Sequence, residues 1–493
     1  MTTQVQAAPS ASLIARSVGW MAAGQLVGQA LWFGSLVVLA MLLPPSAFGV
    51  VAVGMAVLFF GNALVGMGTR AAIIAAPEVG AAELRTAVVL TCGAGVVVAG
   101  LVAAFARPIA NAFAAGGDAG ALRGMSLAVA FIAFAIVPLA VLDRRLWFKR
   151  SASARAGAAL GASLAAIAAA VAGAGVWALV ARQVLYYGLV AALAWLLARD
   201  ALPRSTTAGG PRTLRRAGSR AFLVLACADF VALTVDTLIV GRLTDARQLG
   251  LYSLAFTLAF VPLTQLSWPV GQVLFPAAAA TRDPAVLRRR TLVAVQTSAV
   301  VLLPLLPIAI AAAPSLIPDV LGERWRGMVQ PFQILLVAGV GHAILNCIGE
   351  SLSGAGAIGF RARVHAVWAP VTVASVAVLA SLDGIRGAAI AHLVLFLPLG
   401  AVYVIWGTRR IGLKSRDVWH SVRGVGAAVA AQAIVTAGTF AALTWSGRDD
   451  AAGVLAAVVG AALAAVLLGR GSPSPLGQTR LLIAAVRSGS THA

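Results

Sequence analysis

Charged residues are scarce in this chain, and acidic residues are scarcer than basic ones. Only 11% of the 493 residues are charged, and 16 Asp and Glu residues face 37 Lys and Arg residues. Because a soluble domain carries about 25% charged residues, this composition excludes an ordinary soluble enzyme or binding domain. The three cysteines all lie in apolar stretches, so no disulfide framework is expected.

Sequence motifs that carry chemistry are also missing. The chain has no GxxxxGKS/T phosphate-binding loop, which argues against an ATP-driven motor, and no His/Cys cluster with metal-ligand spacing. The glycine-rich stretch 354–359 follows an apolar helix rather than a strand, so it predicts a helix-end turn and not a dinucleotide site. No loop is long enough for a catalytic domain. The sequence predicts no enzyme and no cofactor, with coupling to H⁺ or Na⁺ left open.

Long apolar runs dominate what is present. Hydrophobic residues make up 60% of the chain, and the mean hydropathy is +0.94. A membrane-spanning helix needs roughly 20 mostly apolar residues to cross ~30 Å of hydrocarbon. We therefore predict an all-α polytopic membrane protein with 14 transmembrane helices. The predicted spans are 17–41, 48–69, 86–106, 124–142, 157–174, 176–198, 221–241, 250–275, 292–313, 331–352, 364–381, 387–407, 424–446 and 451–469.

The basic residues fall mostly on alternate loops. Large clusters lie at 144–155, 199–220, 282–290 and 409–423, whereas the loops between them carry few. This is the positive-inside pattern that orients membrane proteins, and it predicts that both termini lie in the cytoplasm. The net charge of +21 is thus explained by topology and by contact with membrane lipids. A nucleic-acid partner is not expected, since it would require one concentrated basic face.

The chain resembles two copies of a six-helix unit. The segment from Ser35 aligns without gaps with the segment from Asp236, and the segment 175–182 resembles 384–392, which would superpose Arg182 on His392. Duplicated helical units are a common construction of transporters. The predicted parts are a cytoplasmic N-terminus 1–16, an N-lobe 17–198, a linker 199–219, a C-lobe 220–407, two further spans with the preceding loop 408–469, and a cytoplasmic tail 470–493.

Ionisable residues at membrane depth are the main site candidates, because they are costly there. Arg182 lies inside span six next to Gln183 and suits binding of a phosphate or another anion. An interhelical ion pair of Arg182 with Asp229 or Glu350 is an equal alternative. Asp229 lies near the middle of span seven and could be a cavity carboxylate that takes up protons, or a structural hydrogen-bond acceptor.

Span seven also carries Asp236, for which a structural role is favoured, through pairing with Arg242 or Arg247. In span twelve, His392 could titrate near neutral pH, although a lone histidine is more often part of a hydrogen-bonded core.

Span ten carries a polar stripe with a spacing of four residues. His342, Asn346 and Glu350 share one helix face, which favours a water-lined path over contact with lipid. Glu350 lies near the cytoplasmic end, where pairing with Arg361 or Arg363 is the alternative. The uncharged candidates for the same cavity, each individually more typical of an interhelical hydrogen bond, are Gln25, Gln29, Asn62 and Gln265.

Several phrases resemble a known family of membrane proteins. They are MLLPPSAFGVVAV (41–53), GVWALVARQ (175–183), VDTLIVGRLTDARQLGLYSLAFTLAFVP (235–262), GQVLFPAAAA (271–280) and PDVLGERWRGMVQPFQILLV (318–337). Together with the six-plus-six-plus-two layout, they resemble the polysaccharide transporters of the Wzx type. These belong to the superfamily of multidrug exporters, oligosaccharide-lipid flippases and lipid II flippases.

The resemblance implies a V-shaped pair of lobes around a central cavity in a bacterial cytoplasmic membrane. It implies a flippase that moves a polyprenyl-pyrophosphate-linked oligosaccharide to the outer leaflet by alternating access, with a glycan polymerase and other polysaccharide assembly proteins as partners. The family has no universal set of functional residues to carry over. The nearest alternative is an ion-coupled multidrug or toxin exporter; a membrane-embedded glycan polymerase is disfavoured because the outer loops are short.

Overall fold

The computed structural model describes residues 28–66, 69–70, 73, 80–113, 118–145, 147–200, 234–279, 281, 283–445 and 449–469. Within these ranges every regular element is helical, which confirms the predicted all-α class. The chain divides into two compact units, Met1–Leu223 and Val224–Ala493. The division falls in 201–233, outside the described residues, so the boundaries of the linker 199–219 and of the two lobes stay a prediction.

Unit 1 contains seven helices in its described residues. They are α1 (Gly28–Leu42), α2 (Pro45–Gly66), α3 (Ala81–Ala104), α4 (Ala106–Ala112), α5 (Ala119–Arg144), α6 (Phe148–Val171) and α7 (Val176–Ala198). The central helix is α5, which packs against α2, α3, α6 and α7 and buries most of its length. Its start is capped by Asp118, whose carboxylate accepts a hydrogen bond from the backbone nitrogen of Ala121 at 3.2 Å.

Unit 2 is longer, and the elements with defined limits in its described residues include three π-helical segments. Its elements are α8 (Asp236–Leu243), α9 (Ala246–Ala259), a π segment (Pro262–Ser267), α10 (Trp268–Ala279), α11 (Pro284–Leu302), α12 (Leu305–Leu321), a 3₁₀ helix (Glu323–Met328), α13 (Val329–Leu352), a second π segment (Ser353–Ala357), α14 (Ile358–Val402), a third π segment (Tyr403–Gly407), a 3₁₀ helix (Thr408–Ile411), α15 (Ser415–Trp445) and α16 (Asp449–Gly469). Such π turns are rare and often occur at functional sites.

Helix α13 lies at the centre of unit 2. It packs against α9, α10, α11, α12 and α14. The last two helices, α15 and α16, pack mainly against each other and against α12, and α15 also packs against α11. They join the rest of the unit partly through Gln432, which donates a hydrogen bond to the carbonyl oxygen of Pro304 at 2.9 Å.

Eight helical stretches within the described residues are long and apolar enough to cross a membrane. This confirms a polytopic membrane protein and leaves the predicted number of fourteen spans unconfirmed. Two of the eight stretches, Pro284–Leu321 and Glu323–Ile411, each contain more than one helix, because the chain continues helically through kinks. Predicted span seven lies mostly outside the described residues.

Several helices extend beyond the predicted spans. For example, α6 begins at Phe148, whereas the span was predicted to begin at 157, and α15 begins at Ser415, whereas the span was predicted to begin at 424. Hydropathy marks only the part of a helix suited to hydrocarbon. Helical hydrogen bonds continue through the polar residues next to it, so these helices are longer than their apolar parts, and the limits of the membrane spans stay a prediction.

The two units share local geometry at both sequence echoes. Helix α1 ends at Leu42 and α2 begins at Pro45, and in the ungapped alignment these positions correspond to Leu243 and Ala246, where α8 ends and α9 begins. Gly175 precedes α7 with φ 56° and ψ −128°, and Gly384 kinks α14 with φ 53° and ψ −135°. Only glycine adopts this backbone region readily. Aligned on these glycines, His392 corresponds to Gln183, so the predicted superposition of His392 on Arg182 was one residue off.

Candidate functional site

Arg182 is a basic residue of unit 1 that is buried. It lies in the second turn of α7, and only 2% of its surface is exposed. Its Nη2 atom donates a hydrogen bond to the carbonyl oxygen of Trp32 in α1, and its Cζ atom lies 3.6 Å from the centroid of the Trp32 ring. Guanidinium groups stack favourably on aromatic rings when desolvated. Trp32 thus fixes the position and the plane of the charge.

The polar groups of this site are only partly satisfied. The Nε atom of Arg182 and the Oε1 atom of Gln183 are buried, and neither has a hydrogen-bond partner among the described residues. Among the described residues Arg182 forms no ion pair, and the alternative partner Glu350 is engaged by Arg361. The other predicted partner, Asp229, lies outside the described residues. A buried donor left unpaired costs about 1–3 kcal/mol, so this arrangement suits an incoming acceptor such as a phosphate oxygen.

Aromatic residues flank Arg182 on α7. The ring of Tyr186 lies 4.9 Å from that of Trp32, and the ring of Tyr187 lies 5.1 Å from that of Tyr186, between ring centroids. Two of the predicted uncharged candidates, Gln29 and Asn62, lie in described helices of unit 1. Gln29 is half-buried on α1, Asn62 is exposed on α2, and Gln25 lies outside the described residues.

The predicted stripe on α13 is formed by hydrogen-bonded residues. His342 donates from Nδ1 to the carbonyl oxygen of Ala338 at 2.8 Å, and its ring lies between those of Phe260 and Phe396, with centroids 6.0 and 5.3 Å away. Asn346 donates to Ser267 Oγ at 3.1 Å, at the end of the first π segment. The stripe therefore ties α13 to its neighbours, and its contact with substrate stays a prediction.

Glu350, the last residue of the stripe along the chain, forms an ion pair with Arg361. Glu350 accepts a hydrogen bond from Arg361 Nη1 at 2.8 Å, which confirms one of the two predicted partners. The same Arg361 atom donates to Ser353 Oγ at 3.1 Å. Gly271 lies against this pair: a Cβ atom there would come within 2.7 Å of Glu350 Cγ. On the first π segment, the one hydrogen bond that the Gln265 side chain forms with the described residues is local, to Thr264 at 3.2 Å.

A cluster that was not predicted lies where α8, α9 and α14 meet. Tyr252 donates its hydroxyl hydrogen to Asp236 Oδ2 at 2.7 Å, and His392 Nε2 lies 3.2 Å from the same oxygen. The expectation that Asp236 pairs with Arg242 or Arg247 was wrong, because both arginines are exposed and Asp236 is fully buried. The spacing between Asp236 and Tyr252, on either side of a tight turn, is the one signal in the sequence that could have indicated the contact.

Two units of packed apolar helices, each with charged groups buried between the helices, are typical of a membrane transporter. The fold is similar to the lipid II flippase MurJ in its inward closed conformation, with a TM-score of 0.71 and 11% sequence identity over 91% of this chain and 99% of that one. It is also similar to an inward-facing multidrug transporter of the MATE family, with a TM-score of 0.57 and 17% identity over 78% of this chain and 94% of that one.

Sequence comparison gives the family. Residues 38–330 match the family model described as polysaccharide biosynthesis protein, and the chain belongs to this family of Wzx-type flippases. The chain is 24% identical over 342 residues to the lipopolysaccharide biosynthesis protein WzxC of Escherichia coli strain K12, which covers 68% of each chain. It is 28% identical over 123 residues to the teichuronic acid biosynthesis protein TuaB of Bacillus subtilis strain 168, which covers 25% of this chain and 26% of that one.

Proposed function

We propose that this protein is a flippase that moves a polyprenyl-pyrophosphate-linked oligosaccharide from the inner to the outer leaflet of a bacterial cytoplasmic membrane. Membership of the polysaccharide biosynthesis family and the likeness in fold to a lipid II flippase support the proposal. In this proposal the chain crosses the membrane fourteen times with both termini in the cytoplasm, works by alternating access and performs no chemical step. A glycan polymerase and other polysaccharide assembly proteins would act on the flipped product.

The observation that carries the proposal is Arg182. Sugars and a pyrophosphate cannot cross hydrocarbon unshielded, because each unsatisfied polar group costs several kcal/mol there. The protein must replace their hydration, and a guanidinium stays charged at any relevant pH. With one N–H group unpaired and buried at membrane depth, Arg182 is suited to hold a phosphate oxygen or an acidic sugar.

Membrane potential would favour this direction of transport. An inside-negative potential stabilises outward movement of a negative charge by ~2.3 kcal/mol per charge per 100 mV. We also propose that an ion gradient, of H⁺ or Na⁺, contributes to the driving force.

The proposal is tested by deleting the gene and analysing the lipid-linked oligosaccharides of the cell. We expect an intact polyprenyl-pyrophosphate oligosaccharide to accumulate on the cytoplasmic face, where added periplasmic glycosidases cannot reach it. Restoring the wild-type gene should release the block. If the deletion strain exports normal polysaccharide, the proposed function is wrong.

A multidrug exporter is the second candidate, favoured by the likeness in fold to the MATE transporter and by the buried carboxylate of Asp236. It predicts that the deletion strain accumulates lipophilic cations such as ethidium, with unchanged polysaccharide. The same strain therefore separates the two functions.

A further inference from the structure

Asp236, Tyr252 and His392, referred to below as the carboxylate cluster, are buried titratable groups that the binding of an anionic substrate does not use. Asp236 and Tyr252 have no exposed surface, and His392 is 6% exposed. Tyr252 Oη and His392 Nε2 both contact the same oxygen of Asp236, at 2.7 and 3.2 Å. The cluster joins three helices of unit 2, since each residue comes from a different one.

The surroundings of the cluster are aromatic and apolar. The ring of His392 lies 5.5 Å from that of Phe256 and 6.1 Å from that of Phe260, between centroids. Thr237, next to Asp236 on α8, offers a hydroxyl 3.5 Å from the second carboxylate oxygen. A charge in this environment receives little screening from water.

Among the described residues, the other titratable groups on the packed helices form no hydrogen bond with the carboxylate of Asp236. On α13, the ring centroid of His342 lies 6.0 Å from that of Phe260, and His342 Nδ1 donates to the carbonyl oxygen of Ala338. Arg242 and Arg247 are exposed, and Asp245 caps α9 by accepting from the backbone nitrogen of Gln248 at 2.7 Å. Asp229, seven residues before Asp236 in the sequence, lies outside the described residues. Within the described residues, Tyr252 and His392 are the titratable groups in hydrogen-bond contact with Asp236, and His342 is a further titratable group that interacts electrostatically with His392.

Counting hydrogens gives two charge states that differ by one proton. A tyrosine hydroxyl and a carboxylate oxygen at 2.7 Å require the hydroxyl to donate. If His392 is neutral and Asp236 is ionised, the cluster carries a net negative charge, and burying such a charge costs several kcal/mol. One added proton makes the cluster neutral overall, either as an imidazolium–carboxylate pair or as a carboxylic acid beside a neutral imidazole.

We propose that the carboxylate cluster binds one proton and couples its uptake and release to the movement of substrate. This inference rests on the proposed flippase function and names its coupling ion. A proton fits better than Na⁺, because hard cations bind through several oxygen ligands whereas Asp236 Oδ2 faces one hydroxyl donor and one imidazole nitrogen. Among the described residues, no group of three His, Cys, Asp or Glu side chains could hold a metal ion.

The position of the cluster explains how the proton would act on the fold. Loss of the proton leaves an uncompensated charge among α8, α9 and α14, and the free energy then favours separation of these helices and access of water. Helix α9 leads directly into the first π segment, where the helical hydrogen-bond ladder is already irregular. Protonation therefore favours the packed form of unit 2 and deprotonation favours an opened form.

The first test measures proton binding on the purified full-length protein in detergent. An unbuffered solution with a pH indicator should show one fewer proton bound per chain in Asp236→Asn than in wild type, between about pH 5 and pH 8. Arg386→Met is the matched control, because Arg386 is exposed on α14 and an arginine keeps its proton throughout this range. Equal proton uptake by Asp236→Asn and wild type would overturn the inference, whatever the substrate is. Thermal unfolding in detergent checks that the variants fold, and Tyr252→Phe serves as a milder second variant.

The second test places the same proteins in vesicles that contain a labelled polyprenyl-pyrophosphate oligosaccharide. A pH difference of one unit should change the wild-type rate by up to about tenfold, the energy of one proton per cycle. We expect Asp236→Asn and His392→Gln to flip substrate without any response to the pH difference, and Arg386→Met to respond like wild type. Wild-type flipping that responds to Na⁺ alone, or not at all, overturns the proton site and leaves the flippase function standing. Proton binding without any flipping would reject the flippase function and with it the coupling role.

Discussion

Replacing Arg182 by methionine should separate stability from transport. The change removes the contact with the Trp32 ring, worth about 0.5–2 kcal/mol, and a charge-assisted hydrogen bond to the Trp32 carbonyl, worth about 1.5–3 kcal/mol. It also removes the desolvation penalty of a buried charge, which is several kcal/mol. The Trp32 carbonyl oxygen still accepts a hydrogen bond from Ser35 Oγ at 2.9 Å. We therefore expect Arg182→Met to be as stable as wild type or more stable.

Transport should respond in the opposite direction. If Arg182 donates a charge-assisted hydrogen bond to a substrate phosphate, its loss removes about 1.5–3 kcal/mol of binding. That free energy corresponds to a loss of about 10- to 150-fold in the apparent affinity for the lipid-linked oligosaccharide. Arg182→Lys should lie between wild type and Arg182→Met, because an ammonium keeps the charge but loses the planar donor geometry.

The assay is the rate of flipping in vesicles against substrate concentration, with the thermal unfolding midpoint measured on the same preparations. Arg386→Met is the matched control, since Arg386 is exposed and pairs locally with Asp383. Should Arg182→Met unfold at a much lower temperature while its residual folded fraction flips substrate normally, the guanidinium is a structural group and the reasoning fails.

Three further predictions concern stability and driving force. Arg361→Met should destabilise unit 2 by about 3 kcal/mol, because it leaves the half-buried Glu350 without its partner. Denaturation in detergent measures this loss, and an unchanged midpoint would contradict the ion-pair argument. Gly339→Ala should lower the free energy of unfolding by about 1–3 kcal/mol, because its Cβ atom would overlap the carbonyl oxygen of Ala259. Gly359→Ala is the control: the space around Gly359 is open, so this change should be neutral or stabilising. Equal effects of the two changes would show that α9 and α13 are not in close contact. An inside-negative potential of 100 mV imposed with valinomycin should accelerate outward flipping of an anionic substrate, at ~2.3 kcal/mol per charge moved, and a rate independent of potential would mean that no net charge crosses.

Helical class, membrane location and the duplicated pattern could be predicted because each depends on local sequence. Apolar runs of suitable length report membrane-spanning helices, and the matching turns at Leu42–Pro45 and Leu243–Ala246 follow from an ungapped sequence match. The limits of the helices could not be read from hydropathy, because α6 and α15 continue through polar residues.

Partners of individual polar groups depend on contacts distant in sequence. Arg182 stands out in the sequence as a basic residue in an apolar span, and its role in binding stays a prediction. Its contact with Trp32, 150 residues earlier, has no local signal. Asp236 was assigned to nearby arginines because opposite charges attract, whereas packing brings it to His392, 156 residues away. Neither contact can be predicted from the patterns of hydropathy or charge along the sequence.

The most direct measurement is the flipping of a defined polyprenyl-pyrophosphate oligosaccharide by the purified protein in vesicles, read from the accessibility of its sugar to an added glycosidase. We expect wild-type vesicles to expose substrate well above the rate of protein-free vesicles, and Arg182→Met vesicles to fall close to that background at low substrate concentration. Wild-type protein that leaves the sugar on its original side, yet transports a lipophilic cation such as ethidium across the same membrane, would contradict the flippase function.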